Sequence, residues 1–340
     1  MSSRSIEVLN ISRSFRDVKA LDDLSFGVAK GEMFGFIGPD GAGKTTLFRI
    51  LATLILPNRG TATIEGLDVV RDFRKIRRMI GYMPGRFSLY MDLSVEENLT
   101  FYATIFGTTL KENYDLIKDI YRPIEPFRKR RAGKLSGGMK QKLALSCALI
   151  HRPSVLFLDE PTTGVDAVSR REFWEMLRRL KESGITVLVS TPYMDEAGMC
   201  DRVALIQNGK IMQINKPSDV VAAFSFPLYS VRSDDTYRLL SELKGFPDIR
   251  SVHAFGQAAH VALEKEGTPV EGIRDHLDRL GHRNIDIRKI RPGIEDCFME
   301  LMTMPGSADP LPGSAPGGDP RAFSGIRNPE SSFQNPGEND

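Results

Sequence analysis

The sequence predicts an α/β protein built on a buried parallel sheet, with an antiparallel β element, a helical insertion and a smaller α+β domain at the end. Three observations predict this class. Short apolar runs alternate with helical patterns, as in β-α-β units whose strands are buried on both faces. Two consecutive helical patterns interrupt this alternation once. From residue 229 onward the pattern changes to β-α-β-β-α-β. The buried apolar runs are residues 33–37, 155–158 and 185–189.

The composition allows a sizeable core but indicates no particular partner. The chain has 340 residues, of which 41% are hydrophobic, enough for two domains or one large domain with an appendage. Its 46 Lys and Arg residues against 44 Asp and Glu residues leave a net charge of +2. Because this charge is too small for a nucleic-acid or membrane-surface binder, we expect no nucleic acid among the partners. Cys147, Cys200 and Cys297 form no C-x-x-C pair and are expected to be reduced cytosolic thiols.

The first predicted element is an antiparallel β pair. Residues 6–15 and 21–28 alternate as strands do, and Arg16 and Asp17 form the polar turn between them. Since this alternation starts near residue 6 without a preceding apolar segment, we expect no leader peptide. The longest uncharged apolar stretches fall short of the roughly 18 residues that a membrane-spanning helix needs. Any role at a membrane is therefore expected to depend on another chain.

A glycine-rich loop follows the apolar run at residues 33–37 and is the centre of the prediction. It matches G-x-x-x-x-G-K-[ST] in full, the pattern in which backbone amides surround a chain of phosphates. Lys44 brings a positive charge to the β- and γ-phosphates, and the Thr45 hydroxyl can bind Mg²⁺. Residues 47–56 are expected to form the helix whose N-terminus faces the anion. The predicted nucleotide-binding residues of the loop are Gly38, Pro39, Asp40, Gly41, Ala42, Gly43, Lys44, Thr45 and Thr46.

A helical insertion separates this loop from the second buried run. Ser94 and Glu97 form a capping box that opens a helix ending near Phe106. A further helix follows directly, and two helices without an intervening strand indicate an insertion into the sheet domain. The other elements predicted in this part are strands at 61–64 and 80–83 and helices at 72–79 and 111–121.

A second glycine-rich helix start lies at residues 135–141. Ser136, Gly137 and Gly138 open a long helix predicted at 139–150. Such a terminus presents free amides to an anion, as the first loop does. An ordinary serine-capped helix start would give the same local pattern.

Two carboxylates end the second buried run. Residues 155–158 are apolar, and Asp159 and Glu160 follow directly. In a protein with a phosphate loop this run is a central parallel strand. Asp159 is then placed to hold Mg²⁺, and Glu160 is placed to polarise a water molecule as the catalytic residue. Without the loop, the same run would be only a buried strand with a polar end.

The remaining pattern completes the α/β domain and adds a second one. A helix at 167–182 is capped by Gly184, and Asn208 with Gly209 forms the two-residue turn of a hairpin. The later β-α-β-β-α-β pattern fits a small ferredoxin-like α+β domain. Beyond residue 304 the chain is rich in Pro, Gly and Ser, so we expect a disordered tail.

The phosphate loop, the string Leu135-Ser136-Gly137-Gly138-x-x-Gln141 and the two carboxylates together resemble the nucleotide-binding subunit of an ATP-binding cassette (ABC) transporter. The resemblance implies a P-loop NTPase cassette with an antiparallel β subdomain at residues 4–220, in which a helical subdomain covers about 88–150. A ferredoxin-like accessory domain at 228–303 and the tail at 304–340 would follow. In this family, one subunit's phosphate loop and another's signature string hold each ATP between them. The string would contribute Ser136, Gly137, Gly138 and Gln141, and Phe15 falls where the adenine-stacking aromatic belongs.

Within this family the chain is most similar to the ATPase subunits of ABC-2 type exporters, often drug or multidrug efflux systems. The resemblance implies ATP and Mg²⁺ as cofactors, an ABC-2 type membrane permease as partner, and a homodimer or a heterodimer with a second ABC subunit. It implies a peripheral position on the cytoplasmic face of the inner (plasma) membrane, with the coupling helix of the permease received after Pro84. The alternatives are a soluble ABC-type ATPase of translation or DNA repair and a regulatory ATP-binding module with weak turnover.

The sequence departs from the family pattern at two positions. Gly85 stands where the family has a glutamine that contacts Mg²⁺ and the attacking water, and Pro192 stands where it has a histidine that contacts the γ-phosphate. Proline lacks even a backbone donor. Three explanations follow: Arg86 replaces the glutamine, a partner subunit carries the complete residues, or Glu160 alone supports slow hydrolysis.

Overall fold

The structure, a computed structural model, describes residues 4–265 and 270–303. Its described strands form three sheets, and the predicted alternation of strands and helices is confirmed in each part of the chain. The predicted tail at 304–340 lies outside the described residues. In chain order the elements are β1 (Arg4–Phe15), β2 (Val18–Ala29), β3 (Met33–Ile37), α1 (Lys44–Leu51), β4 (Arg59–Ile64), β5 (Leu67–Asp68), α2 (Phe73–Met79), β6 (Ile80–Met83), α3 (Val95–Ile105), α4 (Tyr114–Tyr121), α5 (Gly137–Leu149), β7 (Val155–Asp159), α6 (Ala167–Glu182), β8 (Thr186–Thr191), β9 (Arg202–Gln207), β10 (Lys210–Asn215), α7 (Pro217–Ala222), β11 (Leu228–Arg232), α8 (Thr236–Leu243), β12 (Ile249–Phe255), β13 (Ala258–Leu263), α9 (Val270–Arg279), β14 (Asp286–Ile290) and α10 (Ile294–Thr303).

The central sheet positions the loop and the two carboxylates at one edge. Its six strands follow the order β10-β9-β3-β8-β7-β6, and all of them except β10 run parallel. Strands β3 and β7 are fully buried, as their unbroken apolar runs predict. Because only β8 separates these two parallel strands, the phosphate loop after β3 and the carboxylates at the end of β7 emerge side by side.

A row of aromatic rings joins the central sheet to the antiparallel sheet, whose strand order is β2-β1-β4-β5. The rings come from β2, β3, α1 and β7, and successive centroids lie 5.0 to 6.1 Å apart. Each such pair adds about 0.5–1.5 kcal/mol to the free energy gained by burial. Helix α1 is therefore packed between two sheets, which fixes the loop at its N-terminus. The rings are Phe26, Phe36, Phe48 and Phe157.

Helices α3 and α4 follow one another without an intervening strand, as predicted for the insertion. The capping box is present, since the Ser94 hydroxyl accepts from the Glu97 amide and the Glu97 carboxylate accepts from the Ser94 amide. Asn98 is fully buried and fixes the approach to α3, because its side chain accepts from the Tyr90 amide and donates to the Tyr90 and Ser94 carbonyls.

The last part of the chain has the predicted β-α-β-β-α-β order. Its sheet has the strand order β12-β13-β11-β14, with every pairing antiparallel. Helices α8 and α9 bury Leu239, Leu243, Ile273 and Leu277 against it. Helix α10, which the sequence pattern did not reveal, leaves this core and buries Cys297 and Phe298 in the large core beneath the central sheet and the helical insertion.

Two predicted helices had boundaries that were wrong by three residues or more. The helix expected at 47–56 is α1, which starts at Lys44 and ends at Leu51, because the glycine-rich loop itself forms the first turn and Thr53 is left-handed with φ 61°. The helix expected at 111–121 starts at Tyr114, because the Glu112 side chain instead accepts from Thr108 and Thr109 in a preceding turn.

Candidate functional site

The glycines of the phosphate loop are required by both backbone geometry and space. Gly41 and Gly43 have φ values of 80° and 103°, a region that favours glycine. A Cβ atom at Gly38 would overlap the Ile206 carbonyl oxygen, and one at Gly43 would overlap that of Ala20. The loop is thus formed against β9 and the start of β2, leaving Asp40 and Gly41 exposed.

Lys44 is the first residue of α1, and its ammonium group is held by the loop. The side chain is only 3% exposed. Its Nζ donates to the carbonyl oxygens of Gly38 at 2.8 Å and Pro39 at 3.0 Å. It also lies 3.2 Å from Oε1 of Glu160. These three contacts keep the positive charge at the loop, beside the residue predicted to be catalytic.

Thr45 and Asp159 provide the two oxygen ligands predicted for Mg²⁺. The Thr45 hydroxyl donates to Oδ1 of Asp159 at 3.1 Å, so the two side chains already meet across the gap between α1 and β7. Mg²⁺ takes hard oxygen ligands and usually binds through one or two protein groups plus substrate phosphates and water. The donor set therefore fits the ion.

Ser190, at the end of β8, was not identified from the sequence. Its hydroxyl donates to Oδ1 of Asp159 at 2.7 Å and accepts from the Glu160 amide at 3.0 Å. Glu160 has a φ of 50°, an uncommon conformation for a residue with a side chain. One buried hydroxyl thus contacts both the Asp159 carboxylate and the Glu160 backbone. Only the pairing of β8 with β7 brings it there, so the motif pattern gave no signal for it.

The second glycine-rich helix start, at Ser136, contacts α6 and the segment after β7. Ser136 is the N-cap of α5, with its hydroxyl accepting from the Met139 amide at 3.4 Å. A Cβ atom at Gly138 would lie 2.8 Å from Oγ of Ser169 in α6. Gln141 donates from Nε2 to the Pro161 carbonyl oxygen.

These contacts set the signature string apart from the phosphate loop. Among the hydrogen bonds and ion pairs of the described residues, none joins Ser136, Gly137, Gly138 or Gln141 to that loop. Ser136 and Gly137 are exposed. The structure thus brings together Lys44, Thr45, Asp159 and Glu160, but not the two predicted anion-binding helix starts.

Phe15 lies at the tip of the β1–β2 hairpin. Its ring is 43% exposed, and the Arg13 guanidinium lies 4.7 Å from the ring centroid. Strand β2 begins at Val18, and the Ala20 carbonyl oxygen, two residues later, lies against Gly43 of the phosphate loop. An exposed ring near the loop is compatible with stacking on a base. The adenine contact of Phe15 stays a prediction.

The two departures from the family pattern follow β6 and β8, the strands that flank β7. A Cβ atom at Gly85 would lie 3.0 Å from the Asp159 carbonyl oxygen and 3.7 Å from Cβ of Glu160. Pro192 directly follows β8, where the preceding Thr191 hydroxyl donates to the buried Glu196 carboxylate at 2.6 Å. The Arg86 side chain is exposed. Both positions thus lie beside the predicted catalytic centre without supplying a polar side chain.

Residues 4–265 and 270–303 include no helix that is long and apolar enough to cross a membrane. Their His, Cys, Asp and Glu side chains form no group of three or more placed to hold a metal ion.

The fold and the site define a P-loop nucleotide-binding protein. A glycine-rich loop precedes a helix and holds a lysine, and a carboxylate pair ends the parallel strand that lies two strands away in the sheet. The family model described as "ABC transporter" matches residues 21–163. The chain is 37% identical over 305 residues to Nod factor export ATP-binding protein I of Rhizobium sp. (strain N33), covering 88% of this chain and 98% of that protein. This chain therefore belongs to the ABC transporter family, among its ATP-binding proteins.

Two further comparisons extend this result. The chain is 39% identical over 299 residues to the probable multidrug ABC transporter ATP-binding protein YbhF of Escherichia coli (strain K12), covering 86% of this chain. It spans only 51% of that protein's length. Among solved structures, cbiO1 of Clostridium perfringens, part of an ABC transporter complex, superposes with a TM-score of 0.58 at 25% identity, covering 65% of this chain and 91% of that one.

Proposed function

We propose that this protein is the ATP-hydrolysing subunit of an ABC-2 type exporter, which dimerises on ATP and drives a separate permease. One observation carries the proposal: the chain has two glycine-rich helix starts suited to phosphate, and no described hydrogen bond or ion pair joins them. Each is half of a nucleotide site, so a second subunit must supply the other half. The relatives named for multidrug transport and Nod factor export support export as the direction.

The residues around the loop divide the work of binding. Backbone amides of residues 38–46 and the N-terminus of α1 bind the phosphates, and Lys44 exchanges its contact with Glu160 for the γ-phosphate. Thr45 and Asp159 hold Mg²⁺, which neutralises phosphate charge when it is bound. Ser136, Gly137, Gly138 and Gln141 of the second subunit cover the γ-phosphate side.

Glu160 polarises the attacking water, since its carboxylate is fixed at the end of β7 beside Lys44. Gly85 and Pro192 supply no further polar side chain there. Removing one preorganised donor costs about 2.7–4 kcal/mol of transition-state stabilisation in well-studied enzymes. We therefore propose slow hydrolysis in the isolated subunit. Arg86, complete residues in a partner subunit, or Glu160 alone account for the turnover that remains.

We further propose the division of the chain into a cassette at residues 4–220 and a ferredoxin-like accessory domain at 228–303. The helical subdomain covers about residues 88–150 within the cassette. A peripheral position on the cytoplasmic face of the membrane, against the permease, follows from the proposed function. A regulatory ATP-binding module with weak turnover is the second candidate, and the polar groups missing at Gly85 and Pro192 favour it.

Crosslinking of two copies tests the dimer. Asp40 lies in the phosphate loop, Lys134 lies two residues before Ser136, and both are exposed. The double variant Asp40→Cys with Lys134→Cys therefore marks both halves of the site. The native thiols are buried, which raises the pKa of Cys147, Cys200 and Cys297, that of Cys297 to about 11. They therefore compete little for a short bismaleimide.

We expect an intermolecular crosslink that depends on Mg-ATP and joins the cysteine introduced in the phosphate loop of one copy to the cysteine introduced before the signature string of another. A single Asp40→Cys variant is the matched control and should give no such product. If the double variant remains monomeric with and without Mg-ATP, the sandwiched dimer is wrong. Purification together with a multi-spanning membrane protein then separates a transporter subunit from the regulatory module.

A further inference from the structure

Glu196 is a buried acidic residue to which the proposed function gives no role. It lies in a short 3₁₀ helix, Met194–Met199, in the segment between β8 and β9. Its exposed fraction is only 3%. A carboxylate at this depth costs free energy unless hydrogen bonds or an opposite charge compensate its burial. The groups that compensate Glu196 therefore show which parts of the chain it holds together.

One oxygen of this carboxylate joins two segments of the chain. Oε2 accepts from the Thr191 hydroxyl at 2.6 Å and from the Thr162 hydroxyl at 3.1 Å, and both threonines are buried. Thr191 is the last residue of β8, and Thr162 lies two residues beyond Glu160. We call these two hydrogen bonds the Glu196 link. Because one atom accepts both, the link fixes the chain after β7 relative to the chain after β8.

Arg170 in α6 holds the same segment from another side. Its Nε lies 3.8 Å from Oε1 of Glu196, and its Nη2 lies 3.4 Å from Oδ2 of Asp195. The guanidinium also lies 5.0 Å from the centroid of the Tyr193 ring. The residues that follow Pro192 are thus held by groups of this chain, whereas Pro192 itself has no backbone donor.

Glu160 is the residue whose placement depends on this link. Its φ of 50° makes a sharp turn directly after β7, in a region that residues with a side chain seldom adopt. The Glu160 amide donates to the Ser190 carbonyl at 3.0 Å, which holds the turn from the β8 side. The hydrogen bond from Thr162 to Glu196 holds the chain two residues beyond it. Both anchors of the turn therefore connect it to β8 and the segment that follows.

We propose that Glu196 is a positioning residue for ATP hydrolysis, which keeps Glu160 in place by linking the segments after β7 and β8. This inference rests on the proposed function, since it takes Glu160 to polarise the attacking water. Glu196 acts through Thr162 and Thr191. Among the described hydrogen bonds and ion pairs, none joins Glu196 to residues 38–46, which bind the phosphates. Loss of the link should therefore slow hydrolysis without weakening ATP binding.

Two variants remove the link in the full chain. Glu196→Ala removes the acceptor, and Thr162→Val removes one donor while keeping the side-chain shape, so the test stands even where Glu196→Ala does not fold. We expect kcat to fall about 10- to 100-fold, because a displacement of about 1 Å near the reacting groups costs that much. The dissociation constant of a fluorescent ATP analogue should stay within about twofold of wild type, as expected when only transition-state stabilisation is lost.

Two further threonine variants separate positioning from general destabilisation. Thr162→Ser retains the hydroxyl and should restore most of the hydrolysis rate. Thr186→Val is the matched control, because Thr186 is a fully buried threonine at the opposite end of β8, where its hydroxyl accepts from the Gly31 amide at 3.0 Å. This control should leave kcat unchanged. Equal losses of rate in Thr162→Ser and Thr162→Val, or in Thr186→Val and Thr162→Val, would overturn the proposal.

Hydrogen exchange in the nucleotide-free chain tests the link without reference to hydrolysis. In Thr162→Val, backbone amides of residues 160–166 and 191–196 should exchange about tenfold faster, since local opening loses a hydrogen bond to a charged group. Thr186→Val should not change exchange in either segment. Unchanged exchange of both segments in Thr162→Val would show that the link does not exist. A wild-type chain that hydrolyses no ATP would contradict the proposed function instead, and the exchange rates would still decide whether Glu196 links the two segments.

Discussion

The phosphate loop follows β3, and the segments around Gly85 and Pro192 follow the two strands that flank β7, but the loop and these segments are built differently. On the loop side, Lys44 reaches Glu160 at 3.2 Å and Thr45 reaches Asp159 at 3.1 Å, each through a charged or polar side chain. Elsewhere, Gly85, which has no side chain, lies against the Asp159 backbone, and Pro192, which has no backbone donor, follows β8. The groups that bind ATP are thus separate from the groups that accelerate its hydrolysis. Single mutations should therefore change ATP binding or ATP hydrolysis separately.

The largest expected effect comes from Glu160→Gln. The amide keeps the shape but cannot act as a base, a role that contributes about 10²- to 10⁴-fold to rates. We expect ATP hydrolysis to fall by about 10²-fold or more while ATP binding persists, trapping the ATP-bound dimer. Steady-state phosphate release and size-exclusion chromatography with ATP measure the two properties. Unchanged hydrolysis in this variant would remove Glu160 from the role of catalytic base.

Lys44→Ala should cost binding rather than turnover alone. The substitution removes the buried cation that the Gly38 and Pro39 carbonyls hold in the loop. Charged hydrogen bonds contribute about 1.5–3 kcal/mol, so the ATP dissociation constant should rise about 10- to 100-fold. Titration with a fluorescent ATP analogue measures it. Lys19→Ala is a control, since that exposed lysine contacts Asp22 outside the loop. Equal ATP affinity in both variants would contradict the proposed role.

Ser190→Ala tests the hydroxyl that contacts the Asp159 carboxylate and the Glu160 backbone amide. It leaves the Asp159 carboxylate without its 2.7 Å donor and the Glu160 amide without one of its acceptors. A net loss of about 1–1.5 kcal/mol corresponds to roughly tenfold in rate, and the Mg²⁺ concentration for half-maximal hydrolysis should rise. Ser190→Thr retains the hydroxyl and should restore most of this loss. If both variants lose activity equally, the effect comes from packing in β8 rather than from the hydroxyl.

Pro192→His should give the smallest change in hydrolysis rate. It tests directly the side of the site where Gly85 and Pro192 supply no polar side chain. A histidine there restores a donor toward the γ-phosphate, but Gly85 still supplies nothing. We expect hydrolysis to rise about three- to tenfold, less than the 10²- to 10³-fold that one complete preorganised donor contributes. Steady-state hydrolysis across Mg-ATP concentrations measures it. Pro192→Ala is the matched control, and an equal rise in that variant would show that removing proline, not adding imidazole, is responsible.

The sequence predicted those site residues whose role depends on their neighbours along the chain. The glycines, Lys44 and Thr45 belong to one continuous motif, because consecutive amides and one helix start form the whole loop. The end of β7 was predicted for a similar reason, since its apolar run stops at Asp159. Ser190 gave no signal, since its contacts to Asp159 and Glu160 exist only where β8 pairs with β7.

The C-terminal part shows the same limit. Its alternation of strands and helices was predicted, but the contact of α10 with the rest of the chain was not. Cys297 and Phe298 are buried in the large core under the central sheet. The other residues of that core lie far from these two in the sequence. The folded chain also pairs His260 with Asp296 at 2.7 Å and His282 with Glu242 at 2.6 Å. Such pairs depend on which elements pack together.

The sequence by itself determined the order of strands and helices, the phosphate loop and the carboxylate pair, because short-range periodicity and local backbone geometry encode them. The tertiary structure alone decided which strands are neighbours in the sheet and which residues meet at their ends. It placed Ser190 against the Asp159 carboxylate and the Glu160 amide, and it set Gly85 against the backbone of Asp159. These features arise from strand order and helix packing, contacts between residues tens of positions apart that no local pattern records.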